Sequence, residues 1–124
     1  MAKLRSHEDL TVFQLAFEAS MDIFKISMDF PKEEKYSLTD QIRRSSRSVC
    51  ANLAEGFRKR KYPKSFIAKL IDCEGEAAET QVWLKYAKDC NYIDEDIFLV
   101  LYQKYDRILG KLVNMGQQAD KWSY

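Results

Sequence analysis

The sequence predicts an all-α protein, an antiparallel up-down-up-down four-helix bundle, and three observations carry that expectation. Apolar residues recur at helical spacing through four long segments. Only two prolines occur, Pro31 and Pro63, and both fall where that periodicity breaks. No segment alternates with the period of a strand. Connections after the second and third segments are short, which forces antiparallel neighbours. At 124 residues the chain holds one sizeable core, so residues 1–124 are read as a single domain.

The first helix is expected over about residues 9–29, with Leu10, Phe13, Phe17, Phe24 and Met28 as its core face. Ser6 and Asp9 are spaced for a capping box at its start, and Asp29-Phe30-Pro31 ends it. The second spans about 38–60, with Ser37 placed as its cap and Asp40 in the first turn, where negative charge suits the macrodipole. Ile42, Ser46, Val49, Leu53 and Gly56 form its seam.

The third helix covers about 63–90 and starts at Pro63, a favoured first-turn residue. Phe66, Leu70, Cys73, Ala77, Thr80, Leu84 and Ala87 follow in four-three spacing, and Asn91 supplies a left-handed stop. The fourth covers about 95–120 after Asp94, facing the core with Ile97, Leu101, Tyr105, Ile108, Leu112 and Met115. Residues 120–124 are expected to fray, with Trp122 and Tyr124 available to dock.

A net charge of +1 conceals an asymmetry. Residues 41–69 hold nine Lys or Arg against Glu55 alone, a net +8, which leaves −7 on the rest. Such a division suits either a polyanion-binding patch or two surfaces that attract each other. Cys50, Cys73 and Cys90 form no Cys-x-x-Cys pair and read as buried, reduced thiols. No apolar run approaches a membrane span and the first residues lack a secretory core, so the cytoplasm is the expected compartment.

The run Leu38-Thr39-Asp40-Gln41-Ile42-Arg43-Arg44-Ser45, continuing to Ala51-Asn52-Leu53-Ala54-Glu55-Gly56, resembles the signature of the four-helix-bundle proteins encoded by intervening sequences in 23S rRNA genes. Phe30-Pro31 before it, and Glu79-Thr80-Gln81 and Asn91-Tyr92-Ile93 after it, extend the resemblance over nearly the whole chain. The resemblance implies a bundle that assembles into a homo-oligomeric ring, commonly a pentamer, tied to ribosomal RNA by genomic context. Related bundles serve retroelements as basic accessory rings that contact nucleic acid and reverse transcriptase. Two departures stand out: Cys50 replaces a frequent proline, and Cys73-Glu74-Gly75-Glu76-Ala77 lacks the Gly-Ser start found in the family pattern.

On a wheel of about 100° per residue, Arg43, Arg44, Arg47 and Arg58 fall on the face of the second helix away from its seam. They extend about 22 Å along the axis, enough for several phosphates, and guanidinium groups suit bidentate phosphate contacts. The hairpin register equally sets Arg47 level with Glu76 and Arg44 level with Glu79, and Arg44 could meet Glu55 of another copy. Arg58-Lys59-Arg60-Lys61, with Lys64 following, is the densest cationic run and ranks first for RNA or DNA contact.

Ser45, Ser46, Ala51, Gly75 and Ala78 are small residues suited to close helix–helix or subunit contact, with Glu55 beside them. Trp83, Tyr86, Tyr92, Tyr102 and Tyr105 read as packing residues. No catalytic constellation appears, since His7 is the only histidine, and no metal or cofactor site is expected. The expected function is a noncatalytic oligomeric scaffold or adaptor with affinity for nucleic-acid backbone; the rival is a subunit that contacts proteins alone.

Overall fold

The computed structural model describes residues 4–122, and Tyr124, offered above as a docking residue, lies outside them. A 3-10 turn, His7–Asp9, precedes four long helices: α1, Thr11–Ser27; α2, Leu38–Arg58; α3, Pro63–Asp89; and α4, Glu95–Gln117. A second 3-10 turn, Lys32–Glu34, fills the first connection, and a short α5, Ala119–Trp122, follows. Strands are absent among the described residues. The helices pack as a bundle in which α1 touches α2 and α4, and α3 touches α2 and α4.

The helix ends follow local chemistry. The Ser6–Asp9 capping box forms, but it closes the 3-10 turn, and α1 begins two residues later. Ser37 does not cap α2 with its side chain. Its hydroxyl instead donates to the Glu34 carboxylate at 2.6 Å, and that carboxylate accepts from the Leu38 amide at 3.3 Å. Glu34 therefore supplies the acceptor expected of Ser37. Asp94 caps α4 by accepting from the Ile97 amide at 2.8 Å, and Asn91 takes the left-handed conformation with φ 63°.

Every residue of the expected α2 and α3 seams is buried, from Ile42 to Gly56 and from Phe66 to Ala87, and Ser45 and Gln81 join them. The face of α1 differs. Leu10 is buried as expected and Phe13 and Phe24 are half-buried, but Phe17 is 52% and Met28, just past the helix, 66% exposed, and Val12, Ala16, Ala19 and Ile23 are buried instead. Small side chains let α1 sit close to its neighbours, which turns the bulky register outward. Ile97 of α4 is likewise exposed, and Cys90 is an exposed thiol at the end of α3, contrary to the expectation of burial.

Polar pins cross the helix contacts. Tyr92 donates its hydroxyl to Glu34 at 2.8 Å, tying the α3–α4 connection to the start of α2. Lys104 of α4 reaches Glu18 and Asp22 of α1 at 3.0 and 2.7 Å. Gln81 donates from α3 to the Tyr102 carbonyl and Asp106 of α4. Trp122 packs half-buried against the core. No helix among the described residues is long and apolar enough to cross a membrane.

Candidate nucleic-acid and partner interface

The seam at Ile42, Val49 and Leu53 fixes which side of α2 faces outward, so the signature arginines end up on the surface. Lys35, Tyr36, Thr39, Asp40, Arg43, Arg44, Arg47, Ser48 and Ala51 line an open groove of about 590 Å³ along that side. Its three arginines are held differently. Arg44 bridges to α3, pairing with Glu76 at 2.8 Å and with Glu79, and the Glu76 hydrogen bond raises its pKa further.

Arg43 turns the other way. Its Nε donates to the Ser27 hydroxyl at 2.8 Å, and its guanidinium lies 4.9 Å from the centre of the Phe24 ring. Arg47 lies over the same ring at 5.8 Å. A cation on an aromatic face keeps its charge and its outward donors, so both arginines remain able to meet an anion. The expected Arg47–Glu76 pairing is absent because Arg44 takes both glutamates.

At the far end of α2, Arg58, Lys59, Lys61 and Lys64 are exposed. Arg60 is half-buried: its Nε donates to the Phe57 carbonyl at 2.9 Å, and its guanidinium stacks 3.6 Å from the Phe57 ring. It helps close the helix end, which separates it from its neighbours in the run. Glu55 pairs with Lys69 at 2.6 Å within the chain, which lowers the Glu55 pKa and raises that of Lys69. Both partners of the conceived Arg44–Glu55 contact between copies are thus engaged inside one copy.

The small residues divide as well. Ser45 is buried and shares a 2.8 Å hydrogen bond with Thr80, and Ser46 is buried with its hydroxyl donating to the Arg43 carbonyl at 3.2 Å. These two serve α2's packing within the chain. Ala51, Gly75 and Ala78 are exposed, and a Cβ added at Gly75 would meet nothing within 4 Å. Sequence reasoning missed the exposed stripe of α1; its signal was a second apolar register, Val12, Ala16, Ala19 and Ile23, running beside the bulky one.

Burial pushes the Cys50 thiol up to about 11 and the Cys73 thiol up to about 12, so neither is an activated nucleophile. His7 packs edge-on against Phe13 with 4.8 Å between ring centres. Among the described residues, no group of three or more His, Cys, Asp or Glu side chains is placed to hold a metal ion.

Fold and surface together define a helical-bundle protein with a cationic side on α2 and outward apolar faces. Residues 8–114 match the model of the 23S rRNA-intervening sequence protein family, and the chain belongs to that family. It is similar to a crystal structure of a protein with unknown function from the S23 ribosomal protein family of Bacteroides thetaiotaomicron VPI-5482. The two share 25% identity with a TM-score of 0.77, over 86% of this chain and 98% of that one. A comparison with curated proteins finds no match.

Proposed function

We propose that this chain is a noncatalytic adaptor, an up-down-up-down bundle that self-assembles and holds the backbone of an RNA strand on its cationic side. One observation carries the reading. Arg43, Arg47, Arg58, Lys61 and Lys64 make no salt bridge to a carboxylate among the described residues, and Lys59 has only a longer-range attraction to Glu55, whereas Arg44, Lys69, Lys88 and Lys104 are paired. Cations elsewhere on the surface also lack salt bridges, but these are the ones that cluster on α2 and its exit. Six such groups along one helix and its exit suit phosphates and offer no base-reading geometry, so affinity is expected to depend steeply on salt and little on sequence.

The test is titration of labelled single-stranded RNA at two salt concentrations. Each phosphate contact contributes a slope of about −0.7 in log affinity against log salt. Changing Arg58, Lys59, Lys61 and Lys64 to Ser, with Arg60 retained for the helix end, is expected to flatten the slope by up to ~3 units. Unchanged affinity and slope would remove the RNA assignment.

A second reading, a subunit that binds only proteins, is favoured by the exposed Phe17 and Met21 of α1 and Met28 just past its end. Mass measurement at low and high salt separates a charge-driven assembly, which loosens as salt screens it, from an apolar one, which does not.

A further inference from the structure

Tyr36 sits on the connection from α1 to α2, and 84% of it is exposed, more than any other large hydrophobic side chain among the described residues. The turn that carries it is firmly held. The Ser37 amide donates to the Glu34 carbonyl at 3.0 Å and the Lys35 amide to the Lys32 carbonyl at 3.1 Å, while the Glu34 carboxylate accepts from Ser37, Leu38 and Tyr92. Tyr92, which meets this turn from the α3–α4 connection, docks on it: its ring lies 5.6 Å from that of Phe30 and its hydroxyl is bonded to Glu34. Tyr36 docks on nothing. Its one ring interaction among the described residues is with the Lys35 ammonium, 5.3 Å from the ring centre.

The same ring lines the open groove along α2, together with Arg43, Arg44 and Arg47. Arg44 is committed to Glu76 and Glu79, whereas Arg43 and Arg47 make no salt bridge among the described residues and stand one turn apart, about 6 Å along the helix. Asp40 is the one acid in the lining, and the charges of the turn balance, Lys32 and Lys35 against Glu33 and Glu34. The positive balance of the groove therefore rests on two arginines. Phosphate contacts this few hold a strand weakly by themselves, so a second source of affinity in the groove carries weight.

We propose that Tyr36 is a stacking platform for an unpaired base, so that the groove selects single-stranded RNA over a duplex. The proposal rests on the RNA-holding half of the proposed function and names the form of RNA that is held. A base stacks where an aromatic face is open to solvent and cations stand near enough to meet its phosphate, and Tyr36 with Arg43 and Arg47 supplies both. In a duplex the bases are paired and stacked on one another, so their faces are closed to the ring and only the backbone reaches the groove. Every base has such a face, so stacking adds affinity without reading sequence. The hydrogen-bonded turn matters because a ring already held in place loses little freedom when a base covers it.

The experiment titrates the full-length chain as wild type, Tyr36→Ser and Tyr36→Phe with three labelled probes of about twelve nucleotides. These are a single-stranded RNA, its duplex with the complementary strand, and an abasic strand that keeps the phosphates without the bases. Position 36 is exposed, and circular dichroism verifies that both variants stay folded. Wild type is expected to bind the single strand more tightly than the duplex, whereas phosphate contact alone would favour the duplex with its denser charge. Tyr36→Ser is expected to weaken single-strand binding about 5- to 150-fold, with the salt slope and the affinities for duplex and abasic strand unchanged, and Tyr36→Phe to bind as wild type does. A Tyr36→Ser chain that binds the single strand as wild type does, or that loses equally on all three probes, overturns the platform while leaving phosphate contact standing. A duplex bound by wild type as tightly as the single strand overturns the selection for unpaired RNA. Wild type that binds none of the probes overturns both the platform and the RNA reading on which it rests.

Discussion

Gly56 and Gly75 are both helical glycines, and the same substitution is expected to stabilise the chain at Gly75 but not at Gly56. Gly75→Ala adds a methyl group where nothing lies within 4 Å, so only backbone propensity changes. Alanine is favoured over glycine in a helix interior by about 0.8–1.0 kcal/mol, partly through the unfolded chain. With an unfolding entropy of about 2.1 cal/mol/K per residue, that gain raises the melting temperature by roughly 3–4 °C. At Gly56 the same methyl would lie 3.2 Å from the Lys69 Cβ and 3.9 Å from the Phe66 ring. A Cβ sits on the backbone and cannot swing aside, so α3 must shift, at an overpacking cost of about 1–3 kcal/mol. Net of the propensity gain, Gly56→Ala is expected to be neutral or destabilising by up to ~2 kcal/mol. Urea and thermal melts followed at 222 nm, at one dilute concentration so that association contributes little, measure both. A Gly75→Ala chain less stable than wild type, or a Gly56→Ala chain as stabilised as Gly75→Ala, refutes the packing described for α2 and α3.

Three other expectations concern the core, the Glu34 pin and the thiols. Ile23→Ala should cost about 2–5 kcal/mol, whereas Phe17→Ala should change dilute-solution stability by no more than ~0.5 kcal/mol; the reverse order in denaturant melts would restore the bulky register of α1 to the core. Glu34 has its pKa lowered by hydrogen bonds from Ser37 and Tyr92, and Tyr92 is raised to about 12 by its bond to Glu34. The stabilisation that Tyr92→Phe removes should therefore fade as pH falls through the lowered Glu34 pKa, and fade again as pH climbs from about 10 towards 12. A wild-type minus Tyr92→Phe difference that stays flat across both limits would refute the pin. Under native conditions iodoacetamide should label Cys90 first, with Cys50 and Cys73 reacting fully only in denaturant; equal native rates by mass spectrometry would contradict their burial.

The α2 seam was legible because that helix carries one apolar register, and the α3 seam because its four-three spacing runs unbroken from Phe66 to Ala87, although Ile71, Val82 and Tyr86 lie exposed outside it. Asn91, Pro63 and Asp94 were legible too, since each answers a backbone demand made within a few residues. α1 was misread because it carries two apolar registers, and side-chain size pointed to the wrong one. Glu34 displaced Ser37 as the acceptor at the start of α2 because the 3-10 turn brings a carboxylate back to the Leu38 amide. Among the candidate site residues, the sequence places Arg43, Arg44 and Arg47 on one outward side but carries no information on which neighbour each meets. Phe24 and Glu76 belong to different helices, and that competition depends on how far apart α1 and α3 stand on either side of α2.

The sequence by itself determined the helical class, the four long segments, the two central seams and the concentration of cations on one helix, because periodicity and capping are properties of neighbouring residues. The tertiary structure alone decided that Arg44 is paired with Glu76 and Glu79 while Arg43 and Arg47 lie over Phe24 without a salt bridge. It also decided that Ser45 and Ser46 are spent inside the bundle, and that the bulky side of α1 and the open side of Gly75 both face outward. Those outcomes follow from distances between side chains remote in sequence. Burial is a property of the assembled surface, and hydrophobicity along the chain does not specify which apolar side of a helix its neighbours will cover.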